Sequence, residues 1–267
     1  MAKLPKNRFK QWLRDPAKVP VGTWLMTASP NVAEAIGWAG FDFLVLDMEH
    51  VPVDVPQAIA IMQAVAGTPA ELVVRLPWND PVMVKRVLDS GAQSLMFPYI
   101  QNAEEAVQAV NSTRYPGKGS RGVAAVHRAS RYGTVADYLQ RADEEIAVIL
   151  QLETPEALAA MKEIAAVENI DGLFVGPGDL SAAMGRIGDI RHAEVQSAIS
   201  SAVADSQRLG LPCGIVGAEP GLVSSYRAQG FSFVAVGSDM SMMMSRAKEY
   251  VAALKGQVAD TADSGVY

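Results

Sequence analysis

Eight short apolar runs recur along this chain with amphipathic stretches between them, and that alternation restricts its fold more than any other feature. The runs fall near residues 20–26, 41–46, 71–76, 94–98, 146–153, 172–175, 211–216 and 231–236. Most are continuous, without polar alternation, as expected of parallel strands covered on both faces. Helical patterns lie between them at 31–39, 81–90, 103–112, 155–167, 192–209 and 221–229. Eight such units in 267 residues predict an α/β chain folded as one (β/α)8 TIM barrel spanning 1–267. A doubly wound sheet is the competing solution, but it places a glycine fingerprint after its first strand. Here that strand ends LMTASPNVAEA, which has none.

Composition narrows the function classes. The formal charge is −6 and no long basic run occurs, which excludes a clustered cationic face for nucleic acid. The one locally basic stretch, 3–18, reads as a short surface helix ahead of the first strand. No apolar stretch approaches the roughly 20 residues of a membrane span, and the N-terminus lacks the apolar segment of a signal peptide. A soluble cytoplasmic protein is expected. The single cysteine, Cys213, rules out an internal disulfide and reads as a small core residue in LPCGIV.

The longest irregular stretch, 113–134, is rich in Gly, Arg and Ser. It is expected inside the fourth strand-to-helix connection, over the barrel mouth, where long loops are often functional. The polar tail 257–267 is expected to be loosely held or packed on another subunit. The methionines of DMSMMM (239–244) read as core or subunit contact.

Chemistry collects where the strands end, and active sites of parallel barrels lie at that C-terminal face. Asp47 and His50 close FLVLDMEH, Arg75 closes ELVVR, Glu153 follows IAVILQL, and Asp179 follows GLFVGPG. Arg75 alternates onto the face of Val73; it reads as a rim ion pair or as a fork of donors for a carboxylate or enolate oxygen. Gln151 and Glu153 share a face of the fifth strand. Asp179 comes one strand later, so the two carboxylates can meet one hard cation. Taken singly, Asp179 reads equally as a helix N-cap and Glu153 as a solvated residue before a helix. An imidazole held by a carboxylate makes Asp47–His50 a candidate acid–base pair; Glu49, ranked below Asp47, reads as a residue that orients Arg75 or only solvates the turn. His127 and His192 read as surface residues. No zinc spacing, nucleophile elbow or phosphate loop appears. The loops after the last two strands carry Glu219 and Asp239, which disfavours a phosphorylated substrate.

Several blocks resemble the metal-dependent pyruvate aldolases of the HpcH/HpaI family: FDFLVLDMEHVPVD, VVRLPWNDPVMVKRVLDSGAQSLMFPYIQNAEEA, RYPGKGSRGV, QLETPEAL and GLFVGPGDLSAAMG. The likeness runs over about 21–256 and includes the closing Gly265-Val266-Tyr267. It implies a divalent cation (Mg²⁺, Mn²⁺ or Co²⁺) held by Glu153 and Asp179, with Gln151 supporting the shell. It also implies a pyruvate carboxylate received by the backbone of Gly178 and Asp179. Arg75 would contact the keto oxygen, and Asp47 with His50 would move protons. Asp89 would enter a neighbouring subunit's site, hence a homo-oligomer, trimer or hexamer. The implied substrates are 4-hydroxy-2-oxo acids, cleaved to pyruvate, or a hydroxypyruvate-like donor, and an aldehyde. The segment Ala124–Arg131 departs from the family pattern, being a residue shorter with His127 inserted.

Three rivals are less well supported. A Schiff-base aldolase needs a strand-end lysine that is absent. An acyl-CoA lyase of the related Mg-dependent barrels would show a basic nucleotide-binding loop. A non-catalytic metabolite-binding barrel leaves the base and the paired carboxylates without a purpose.

Overall fold

The computed structural model describes residues 2–256; the tail, including 265–267, lies outside the described residues. The chain runs α1 (Arg8–Leu13), β1 (Val21–Leu25), α2 (Pro30–Gly37), β2 (Phe43–Asp47), α3 (Val55–Val65), β3 (Glu71–Arg75), α4 (Pro81–Asp89), β4 (Ser94–Phe97) and α5 (Ala103–Thr113). It continues α6 (Tyr138–Arg141), β5 (Ala147–Leu152), α7 (Pro155–Ala159), α8 (Met161–Ala165), β6 (Gly172–Val175), α9 (Pro177–Ala183), α10 (Ala193–Leu209), β7 (Cys213–Gly217), α11 (Pro220–Gln229), β8 (Phe233–Ser238) and α12 (Asp239–Lys255). The eight strands close into one parallel barrel in sequence order. The expected TIM barrel is therefore the fold.

Local signals explain the helix starts. Pro occupies the first turn of α2, α4 and α7, where its missing N–H costs nothing. Ser29, Asp80 and Thr154 cap those helices by accepting from backbone N–H groups. The helix expected over 155–167 breaks at Ala160 into α7 and α8.

Two apolar layers hold the barrel. One lies between strands and helices; the other fills the bore with Trp24, Phe43, Val45, Phe174 and Phe233 among others. Gly214 makes that bore possible, because a Cβ there would overlap the Phe233 ring. Phe9 and Leu13 of α1 belong to the same inner cluster. The basic N-terminal stretch is thus a plug at the N-terminal end of the bore rather than a surface helix. Cys213 is buried in β7, as expected.

Two expected placements are corrected. The irregular stretch 113–134 follows α5, so it belongs to a helix-to-strand connection and lies away from the mouth. Its Ala129 N–H donates to the Asp89 carbonyl (3.1 Å) and Arg128 donates to the Ser90 carbonyl (2.8 Å), at the N-terminal end of β4. The methionines 240 and 242–244 sit on α12, exposed, so none is a core residue of this chain. Asp239 is not a free acid at the mouth. Its carboxylate accepts from Met26 N–H, Thr27 N–H and the Thr27 hydroxyl, tying β8 to β1. Among the described residues, no helix is long and apolar enough to cross a membrane.

Candidate active site

Strand parity brings the first group together. Asp47 and Arg75 face each other as register partners on β2 and β3, both fully buried. Arg75 donates from Nε to Asp47 Oδ1 (3.1 Å) and from Nη2 to Oδ2 (2.7 Å), a bidentate fork. The guanidinium lies over the Trp24 indole, 4.2 Å from its centroid. Asp47 Oδ1 also accepts from the backbone N–H groups of Glu49 and His50. These bonds hold a charge pair that would otherwise be expensive to bury.

The expected Asp47–His50 pair takes a different form. Asp47 meets His50 through the backbone, and its carboxylate is committed to Arg75. The carboxylate beside the half-exposed imidazole is Glu49, 3.9 Å from His50 Nε2. Glu49 Oε2 also lies 2.9 Å from Arg75 Nη1. Burial raises the Glu49 pKa above the usual carboxylate range, against the opposing pull of Arg75 and His50. Glu49 therefore joins the arginine to the histidine. Of the two readings its position allows, orienting Arg75 or solvating the turn, the structure has the first.

The second group sits across the bore on β5 and α9. Gln151 is fully buried, and its amide N–H donates to Glu153 Oε1. Glu153 Oε2 accepts from the Tyr99 N–H at 3.1 Å. A Cβ at Gly176 would overlap the Glu153 carboxylate and the Gln151 amide, so any larger residue there would displace this pair. Gly176 opens the Gly176-Pro177-Gly178 turn, which reads from sequence as one able to approach a ligand through its backbone, as many glycine-rich turns are; Tyr99 carries no such signal. Glu153 has its pKa pushed up to about 8, by burial first and then by the charges of Asp179 and Glu49. Asp179 is exposed in the first turn of α9, whose N-cap is Gly176, so Asp179 is not the cap. Gly178 precedes it, and a Cβ there would meet no protein atom, leaving open space above the first turn.

The donor set suits a hard cation. A carboxylate driven towards protonation by burial first and then by neighbouring acids, beside a second exposed one, is relieved by positive charge. The Gln151 Oε1 atom is buried without a hydrogen-bond partner. Among the described residues no group of three or more His, Cys, Asp or Glu forms a metal cage. Two carboxylates instead describe an open site, with remaining positions left to substrate and water.

Asp89 stands apart. It ends α4, at the opposite end of the barrel from the other candidates. Arg121, fully buried and stacked on Tyr115 at 4.5 Å, donates to Asp89 Oδ1 (2.6 Å). His127 Nε2 lies 3.7 Å from the same oxygen. The His127 ring packs edge-on against Tyr138, so it is not the surface residue expected. Its Nδ1 accepts from Ser130 N–H (3.2 Å), and burial lowers its pKa. His192 caps α10, in keeping with its expected helix start.

The profile of the HpcH/HpaI aldolase/citrate lyase family matches residues 21–245. The chain is 52% identical to 2-dehydro-3,6-dideoxy-6-sulfogluconate aldolase of Pseudomonas putida, over 93% of this chain and 97% of the relative. It is 44% identical to 4-hydroxy-2-oxo-heptane-1,7-dioate aldolase of Escherichia coli, over 98% and 100%. A crystal structure of a HpcH/HpaI aldolase/citrate lyase family protein from Burkholderia cenocepacia superposes with a TM-score of 0.91 at 38% identity, covering 94% of this chain and all of that one. The chain belongs to the HpcH/HpaI aldolase/citrate lyase family.

Proposed function

We propose that this protein is a divalent-metal-dependent aldolase that reversibly cleaves 4-hydroxy-2-oxo acids to pyruvate and an aldehyde. The observation that carries the reading is the convergence of Glu153, Asp179, Arg75 and Glu49 at one end of the bore, where their charges act on one another. Glu153 and Asp179 would hold the cation, Mg²⁺, Mn²⁺ or Co²⁺. Bound there, it supplies Lewis-acid polarisation of the 2-keto group.

The chain's own residues do the rest. The first turn of α9 offers the N–H groups of Gly178 and Asp179 to the substrate carboxylate. Arg75, held rigid by Asp47, brings positive charge to the oxygen that becomes the enolate oxygen, with no reorganisation needed during reaction. In the cleavage direction the 4-hydroxyl loses its proton and the C3–C4 bond breaks. The bonding pair moves into C2–C3, the keto oxygen takes the charge, and C3 is then protonated. His50, half-exposed and adjoining Glu49, handles these protons. Gln151 fixes the Glu153 rotamer.

The two aldolase relatives named above act on 2-oxo acids that differ in the aldehyde portion, so a shared pyruvate half with a variable acceptor half is the substrate class proposed. A homo-oligomer, trimer or hexamer, is proposed from the exposed methionines of α12 and from Asp89, whose distance from its own mouth suits a neighbour's site. Purified protein given pyruvate and an aldehyde should form aldol only with divalent metal present. Full activity after exhaustive chelation would refute the proposal.

A further inference from the structure

Tyr99 adopts φ +53°, in the left-handed region that a bulky L-residue enters only under strain. Such strain persists where surroundings over-determine it, and it concentrates at functional sites. Here the turn fastens one loop to one strand end. It delivers the Tyr99 N–H to Glu153 Oε2 (3.1 Å) and the Ile100 N–H to the Gln151 carbonyl (3.1 Å). One residue further, Gln101 Oε1 accepts from the Thr154 hydroxyl (2.6 Å). All three partners lie at the tip of β5, around Glu153.

The side chain of Tyr99 supplies what opposes the strain. Its ring stacks on the Trp78 indole, with centroids 6.1 Å apart and planes at 28°, an arrangement that is attractive beyond the area it buries. Residues Tyr99 and Trp78 are 43% and 55% exposed, so packing in the core does not account for two aromatic residues here. Trp78 follows β3, which carries Arg75, so the stack braces the loop after β4 against the loop after β3.

We propose that Trp78 and Tyr99 are positioning residues for Glu153: their stack selects the left-handed turn that aims the Tyr99 N–H at the carboxylate. The inference rests on Glu153 being a metal carboxylate. Neither ring need touch substrate.

The test is calorimetric titration of chelator-stripped protein with Mn²⁺, without substrate, beside thermal unfolding of the metal-free form. Trp78→Ala and Tyr99→Ala should unfold as folded proteins do yet bind Mn²⁺ about tenfold more weakly, the range for loss of a group that orients a ligand. Trp78→Phe and Tyr99→Phe should match wild type. Tyr99→Gly should fall between, because glycine enters positive φ at no steric cost. Wild-type affinity in both alanine variants overturns the inference, and so does equal weakening by Tyr99→Gly and Tyr99→Ala, which would mean that the ring acts directly. A wild type that binds no Mn²⁺ overturns the metal reading itself, and with it this one.

Discussion

Asp47 and Arg75 are register partners on adjacent strands, joined by two hydrogen bonds, and neither side chain is reached by solvent. Removing one member of such a pair leaves a buried charge without its counter-charge, which costs about 3–5 kcal/mol. Asp47→Ala should therefore lower the unfolding temperature sharply and abolish turnover. Replacing both residues by apolar ones of similar volume, as in Asp47→Leu with Arg75→Met, should recover most of the stability and none of the activity. Thermal unfolding and initial rates on the same preparations separate these outcomes. A stable, active Asp47→Ala protein would mean that the pair is dispensable.

His50 presents the opposite balance. Its imidazole is 52% exposed, with the Glu49 carboxylate 3.9 Å away, so His50→Ala should leave stability within about 0.5 kcal/mol of wild type. A group that transfers protons contributes about 10²- to 10⁴-fold to rate, and kcat should fall in that range. Glu49→Gln should retain the fold while weakening the link between His50 and Arg75, giving a smaller loss of kcat. Were His50→Ala to keep full kcat, the proton would have to travel by another group.

What the sequence disclosed depends on whether a feature is local. The period of two places Arg75 with Val73 and Gln151 with Glu153; Val73 lies in the bore cluster, Arg75 lies over Trp24 of that cluster, and Gln151 bonds Glu153. Helix starts were legible because Asp80-Pro81 and Thr154-Pro155 are complete signals within a few residues. Pairing across strands was not legible. The partner of Arg75 depends on the β2–β3 register, and the choice between the two readings of Glu49 depends on where Arg75 points. Phe9 shows the same limit: its helix pattern reveals an apolar face, but not that the face closes a barrel. His127 misled for a related reason. Its burial comes from Tyr138 and from the end of α4, about 40 residues earlier, neither of which its flanking residues indicate.

Glu153 has its pKa raised to about 8, chiefly by burial. In an unfolded chain the group ionises near its ordinary value of about 4.3. Between those values the folded metal-free protein holds a proton that the unfolded chain has lost. The metal-free protein should therefore lose stability as pH rises from about 4.3 to about 8, and level off above that. Glu153→Gln removes the cost, so its metal-free stability at pH 8 should equal or exceed that of wild type, while Mn²⁺ affinity falls more than about 100-fold. Chemical denaturation at pH 5 and pH 8 checks the slope. A stability difference between wild type and Glu153→Gln that is independent of pH would contradict the shift.

Asp89 tests whether the site is shared between chains. It ends α4 at the far end of the barrel from Arg75 and Glu153, so within one chain it cannot serve the mouth. Asp89→Asn is the suitable change, because it keeps an acceptor for the buried Arg121, whereas alanine would leave that guanidinium unpaired. Alone, Asp89→Asn should be nearly inactive if a neighbour depends on the carboxylate. Glu153→Gln should be inactive through loss of metal. When the two are unfolded together and reassembled, a chain carrying Asp89→Asn still has its own Glu153 and can receive Asp89 from a Glu153→Gln neighbour. Activity should then reappear in proportion to the mixed contacts formed, measured as pyruvate released from a 4-hydroxy-2-oxo acid. A mixture as inactive as its components would show that Asp89 serves its own chain's stability rather than a neighbour's chemistry.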